Sequence, residues 1–167
     1  ASMINKVYFP RLVLPLSSVF SKGVDFIIGF ILLIAFLAWY QIMPSWEIVL
    51  LPWLMGVLLM TSLGIGMILS AMAVQYRDVK HAMTFAVQLL MFAAPVVYPT
   101  TNVPVKYQLA YSMNPMVGVI EGFRSVFLHT IPFPYTWMLV GTGVSLVLFI
   151  FSLFYFRRME RVFADVA

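Results

Sequence analysis

The chain has no cysteine and very little charge. Without cysteine it can form neither a disulfide nor a thiolate metal site, and its redox compartment stays open. Charged residues make up 10% of the 167 residues, against roughly 25% in a soluble domain. There is no His-Glu zinc spacing, no glycine-rich phosphate loop and no carboxylate pair inside an apolar run. These absences disfavour a catalytic centre. The pI near 9.5 could point to nucleic acid, but the basic residues sit at the ends of apolar runs, where they set orientation instead.

What the chain does have is apolar length. It is 63% hydrophobic, and the apolar residues gather in four long stretches at about 24–40, 48–74, 82–98 and 135–156. A bilayer core needs about 20 apolar residues per helix, within roughly 17–25. The expectation is an all-α membrane protein: four transmembrane helices plus an outward-facing re-entrant helical hairpin, forming one transmembrane domain over 1–167. Eight of the ten Lys and Arg residues fall before the first stretch, between the second and third, or after the fourth. Lys106 and Arg124 fall on the opposite side. The positive-inside rule then places both termini in the cytoplasm and segment 100–134 outside. On that topology His81 and His129 lie on opposite sides and cannot share a metal.

The start is unusual. The chain opens Ala-Ser without methionine or a signal peptide, as expected of a fragment lacking earlier spans. The basic tail from Arg157 reads as a complete C-terminus.

Within the stretches, Asp25 lies three residues from Lys22, and a salt bridge between them is expected. Ser62, Gly66 and Ser70 repeat every four residues, a small-residue stripe suited to close helix packing. Gly141 and Ser145 form a second small pair. Pro52 and Trp53 suggest that the start of the second stretch lies outside the core. Pro95 and Pro99 should kink the third stretch or end it near Ala94. Beyond it, Val105–Met113 and Met116–Leu128 read as two short helices, broken by Asn114-Pro115. Neither can cross a bilayer. They form a hairpin that dips in and returns or, alternatively, an interfacial amphipathic pair. Met116, Ile120, Phe123 and Phe127 share one face of the second helix; Glu121, Arg124 and Ser125 share another. Glu121 and Arg124 are spaced for a local ion pair or for a tie to a neighbouring span. Tyr76-Arg77-Asp78 reads as a topological anchor or as a brace against a cytoplasmic partner.

Several motifs occur in order: Val7-Tyr8-Phe9-Pro10-Arg11 with Leu14-Pro15, Tyr76-Arg77-Asp78-Val79, Pro95-Val96-Val97-Tyr98-Pro99, and Asn114-Pro115-Met116 through Gly118, Glu121, Gly122, Phe123 and Arg124, with Phe163-Ala164-Asp165-Val166 near the end. Together they resemble the permease subunits of ABC-2-type polysaccharide exporters, the family that moves O-antigen, teichoic acid or capsule chains. The resemblance implies a missing N-terminal helix and two missing spans. It implies a homodimer in the bacterial cytoplasmic membrane, with no nucleic acid as partner, moving a lipid-linked polysaccharide and driven by cytoplasmic ATPase subunits. ATP and magnesium would be bound by those subunits, and no cofactor by this chain. Tyr8, Phe9, Pro10 and Arg11, within a cytoplasmic segment 1–22, would contact the ATPase. Tyr76, Arg77 and Asp78 would brace the cytoplasmic side. Segment 100–134, with Glu121 and Arg124, would be the outer gate. A sugar path favours aromatic faces, and Trp39, Tyr40, Tyr98, Tyr107 and Tyr111 are its candidates, alongside an interfacial-belt role for many of them. The competing readings are an ABC-2 permease for a drug or lipid, a membrane enzyme acting on lipid-linked sugars, and a membrane scaffold.

Overall fold

A computed structural model describes residues 13–76, 78–129 and 131–164. Among them every regular element is helical. The order is α1 (Val13–Trp39), a 3-10 turn (Trp46–Leu50), α2 (Leu51–Gln75), α3 (Val79–Ala93), a second 3-10 turn (Thr100–Asn102), α4 (Val105–Ser112), α5 (Pro115–Leu128) and α6 (Tyr135–Ala164). Three of these helices contain segments long and apolar enough to cross a membrane: Phe20–Trp39, Trp46–Ala73 and Tyr135–Met159.

The third apolar stretch, counted by its length as a span over about 82–98, forms a helix of 15 residues that ends at Ala93, in line with the kink or end expected near Ala94. At 1.5 Å per residue that is about 22 Å, short of a hydrocarbon core of about 30 Å. The cause is Pro95. A proline disfavours helical backbone at the residue before it, and Ala94 is extended at φ −112°, ψ 150°. The other boundaries follow similar local chemistry. Pro52 sits in the first turn of α2, where its missing N–H costs nothing. Asn114 caps α5, its side chain accepting from the Met116 N–H, with Pro115 in the first turn. His129 closes α5 in the left-handed region at φ 53°.

The bundle is built on α2 against α6, with α5 wedged beside both. Leu54 and Val57 of α2, Val119, Val126 and Phe127 of α5 and Met138 of α6 form one apolar core with Leu37 of α1 and Phe133. Met67, Ala71 and Phe156 form a second core farther along α2 and α6. Two polar ties cross between these helices. The Thr61 and Ser145 hydroxyls lie 2.9 Å apart, both buried, and Trp53 Nε1 donates to Thr142 Oγ1 at 3.0 Å. By contrast α3 leaves Phe85, Leu89, Leu90 and Phe92 exposed, and α1 leaves Ile27, Ile31, Leu32 and Phe36 exposed. The Lys22–Asp25 salt bridge is formed at 2.9 Å.

The small residues that permit close approach are not those of the Ser62, Gly66, Ser70 stripe. A methyl group at Gly66 would meet nothing within 4 Å. Ser62 and Gly66 border an open groove between α1 and α2 instead. Close contact falls at Gly64 against Leu148 and Phe149, at Gly141 against Pro115, and at Gly118 against Trp137 and Met138. Periodicity marked a stripe, but the packed face of α2 is the one that carries Gly64.

At Gly118 an added methyl would lie 3.0–3.2 Å from backbone atoms of Trp137 and Met138, which cannot rotate away. Gly118→Ala should therefore destabilise the purified full-length protein by about 1–3 kcal/mol, seen as a lowered Tm. Gly66→Ala should leave Tm unchanged or raised. Equal losses in the two variants would contradict this packing.

Candidate functional site

The extended segment after α3 leaves backbone groups that no helix satisfies, and α5 and its cap supply the partners. Asn114 Nδ2 donates to the Ala93 carbonyl at 3.0 Å. Arg124 Nη2 donates to the Pro95 carbonyl at 2.7 Å. The Thr100 N–H donates to Glu121 Oε1 at 3.2 Å, and Arg124 Nη1 donates to the same oxygen at 2.6 Å. Glu121 and Arg124 are thus both a local ion pair and a tie to the neighbouring element. The carboxylate is 1% exposed and the guanidinium 21%. A buried carboxylate is stable where a cation and hydrogen-bond donors compensate it, and both are present.

Tyr98 and Tyr111 add a second clasp. Their rings stack with centroids 6.5 Å apart. Tyr98 Oη donates to the Phe92 carbonyl at 2.9 Å, so the Tyr111 hydroxyl is the donor in the 2.7 Å contact between the two. Burial, that hydrogen bond and the negative potential of Tyr98 and Glu121 all push the Tyr111 hydroxyl well above its ordinary pKa. It stays a neutral donor throughout the physiological range.

The far end of α5 is tied to the α1–α2 connection. Ser125 Oγ donates to Glu47 Oε2 at 3.1 Å, and the Ser45 N–H donates to the Val126 carbonyl at 2.9 Å. The polar face of α5 therefore points inward. Its Phe123 and Phe127 stack on each other and meet Phe26 and Phe30 of α1. With both faces covered, α5 is an internal helix of the bundle.

The other sequence-derived candidates scatter. Tyr8, Phe9, Pro10, Arg11 and Arg77 lie outside the described residues. Tyr76 and Asp78 are exposed at the α2–α3 junction, and Asp78 makes no side-chain cap bond. Trp39 and Tyr40 are exposed at the end of α1. Tyr107 is exposed beside Lys106, whose Nζ is 5.8 Å from its ring centre. Of the five aromatics proposed for one path, the structure joins Tyr98 and Tyr111. Sequence reasoning missed Glu47, Ser125 and the bridging role of Asn114. The Asn-Pro pair signalled the cap, but nothing in the sequence links Glu47 to a residue 78 positions away.

Three long apolar helices around a short buried one define a multi-pass helical membrane protein. The chain belongs to the ABC-2 type transporter family, whose model matches residues 2–128. Among curated relatives, two O-antigen export system permease proteins RfbA of Klebsiella pneumoniae are 27% and 29% identical, each alignment covering 99% of this chain. An O-antigen export system permease protein RfbA of Myxococcus xanthus is 31% identical over 95% of the chain. The chain spans 64%, 64% and 62% of these relatives' lengths.

Arg124→Ala should cost on the order of 2–4 kcal/mol, below the roughly 3–5 of a fully buried pair because the guanidinium keeps some exposure. The swap Glu121→Arg with Arg124→Glu should not recover that loss. It would set a cation against the Thr100 N–H and a carboxylate against the Pro95 carbonyl. Thermal melts of the full-length protein test this, and a swap as stable as wild type would contradict the geometry.

Proposed function

We propose that this chain is the membrane-spanning part of a permease subunit in an ATP-driven exporter of polysaccharide, a lipid-linked O-antigen, teichoic acid or capsule-like glycan. The observation that carries this reading is the alignment of nearly the whole chain with permeases named for O-antigen export. ATP and magnesium would be handled by a cytoplasmic ATPase subunit, with Tyr8–Arg11 as its contact and Tyr76–Asp78 as a brace. A second permease copy would complete the path. In this reading α3 and the extended segment to Thr100 form a fourth, broken span, and α4 and α5 re-enter from the outer side. The bias of Lys and Arg supports both termini in the cytoplasm.

The α4–α5 pair is the outer gate in this account. Broken helix is tolerated in a membrane where it is buried in protein or lines water, and Ala94 and Pro95 are buried. Moving α5 would uncouple Pro95, Thr100 and Glu47 together, which gives the gate two discrete arrangements rather than a continuum.

Deletion of the full-length gene should abolish surface polysaccharide, and the wild-type gene should restore it. Arg124→Ala should reduce export about tenfold or more, matching a lost interaction above ~1.4 kcal/mol, while the ATPase still co-purifies. Phe9→Ala with Arg11→Ala should instead weaken co-purification. Surface polysaccharide unchanged by the deletion, with a drug or lipid accumulating in its place, would favour the alternative substrates.

A further inference from the structure

Beside the gate lies a cleft that none of the roles above uses. It occupies about 370 Å³ between the turn at Thr100, α4 and the start of α6. That is within the roughly 300–1,000 Å³ of small-molecule sites. Its aromatic wall is Tyr135 and Trp137. Tyr135 rests on buried Phe133 at 4.8 Å between ring centres, and Phe133 leans on Trp53, itself fixed by Thr142. Such a stack holds the wall in place before any ligand arrives. The rest of the lining is apolar from Ile131 to Pro134 and neutral polar at Thr100, Thr101, Gln108 and Thr136. Gln108 Nε2 donates to the Val103 carbonyl at 3.2 Å. Thr100 is 2% exposed.

We propose that this cleft binds a neutral saccharide unit of the exported glycan, an inference that rests on the export reading above. No lining residue is charged, so nothing there would offset the desolvation of a phosphate or a uronate. An acyl chain would cover hydroxyls without bonding them, at a cost of about 1–3 kcal/mol for each group left unpaired. A pyranose ring meets both demands. Its C–H face lies on an aromatic ring, and its hydroxyls donate to and accept from threonine and glutamine. Thr100 links the cleft to the gate, because it lines the cleft while its N–H is bound to Glu121. A sugar seated here is one residue away from the ion pair that holds the extended segment.

The test is photo-crosslinking in the glycan-producing bacterium, with the full-length permease and its ATPase expressed together. A benzophenone is placed by Thr136→p-benzoylphenylalanine, and by Leu139→p-benzoylphenylalanine as an exposed control on the same helix. Products are read with an antibody to the exported glycan and by the ladder of sizes that attached glycan gives on a gel, neither of which a phospholipid produces. The expected result is a sugar-positive adduct at 136 and none at 139. Trp137→Ala should lower the yield about fivefold to tenfold, as for an anchoring aromatic, and Trp137→Phe should restore most of it. If surface polysaccharide depends on the permease but position 136 gives no sugar-positive adduct, or gives only lipid, the cleft proposal is overturned and the export reading stands. If the deletion strain keeps its surface polysaccharide, both are overturned.

Discussion

A helix that ends inside a membrane protein must hand its free backbone groups to something else. Hydrocarbon offers no hydrogen bonds, and each unsatisfied group there costs several kcal/mol. In this chain Pro95 ends α3 after 15 residues, and the carbonyls of Ala93 and Pro95 and the N–H of Thr100 need partners. All three find them on α5 and its cap: Asn114, Arg124 and Glu121. The placement of α5 at the centre of the bundle, its inward polar face and its glycines follow from that requirement.

Bringing a charged pair to the centre requires compensation on every side. Glu121 receives the Arg124 guanidinium and the Thr100 N–H, and its neighbour Ser125 reaches Glu47. Bringing the backbone of α5 close to α6 requires small residues. Gly118 faces the Trp137 carbonyl, Gly141 faces Pro115, and Gly122 lies under Leu54. The same helix therefore ties down two connections at once, the one after α1 and the one after α3. Its surroundings are unequal. The side of α5 toward α2 and α6 is densely packed, whereas α1 and α3 present wide apolar faces outward.

Much of this was legible in the sequence, and the reasons differ by element. The long helices announce themselves by apolar length. The ends of α3 and α5 are written in Pro95, Asn114 and Pro115, because proline and side-chain capping act locally. The Glu121–Arg124 and Lys22–Asp25 pairs follow from helical spacing, which is local too. What could not be read depends on distant contacts. The stripe at Ser62, Gly66 and Ser70 has the right period, yet Gly64, between its members, meets α6. Glu47 stands alone in its loop, and its partner Ser125 becomes a neighbour after α5 is in place. The cleft walled by Tyr135 and Trp137 likewise joins residues from three separate segments.

The central claim is that α5 holds the extended segment after α3 through Arg124 and Glu121. Hydrogen–deuterium exchange of the full-length protein in lipid nanodiscs tests it most directly, because the Thr100 N–H is itself one of the bonds. In wild type the amides of residues 94–103 should exchange slowly. In Arg124→Ala they should exchange about tenfold faster or more, as expected when an interaction of ~1.4 kcal/mol or more is lost. The α2 residues 57–71, which pack on α6, should not change. Exchange over 94–103 that is the same in both proteins would show that the segment is held by something other than α5.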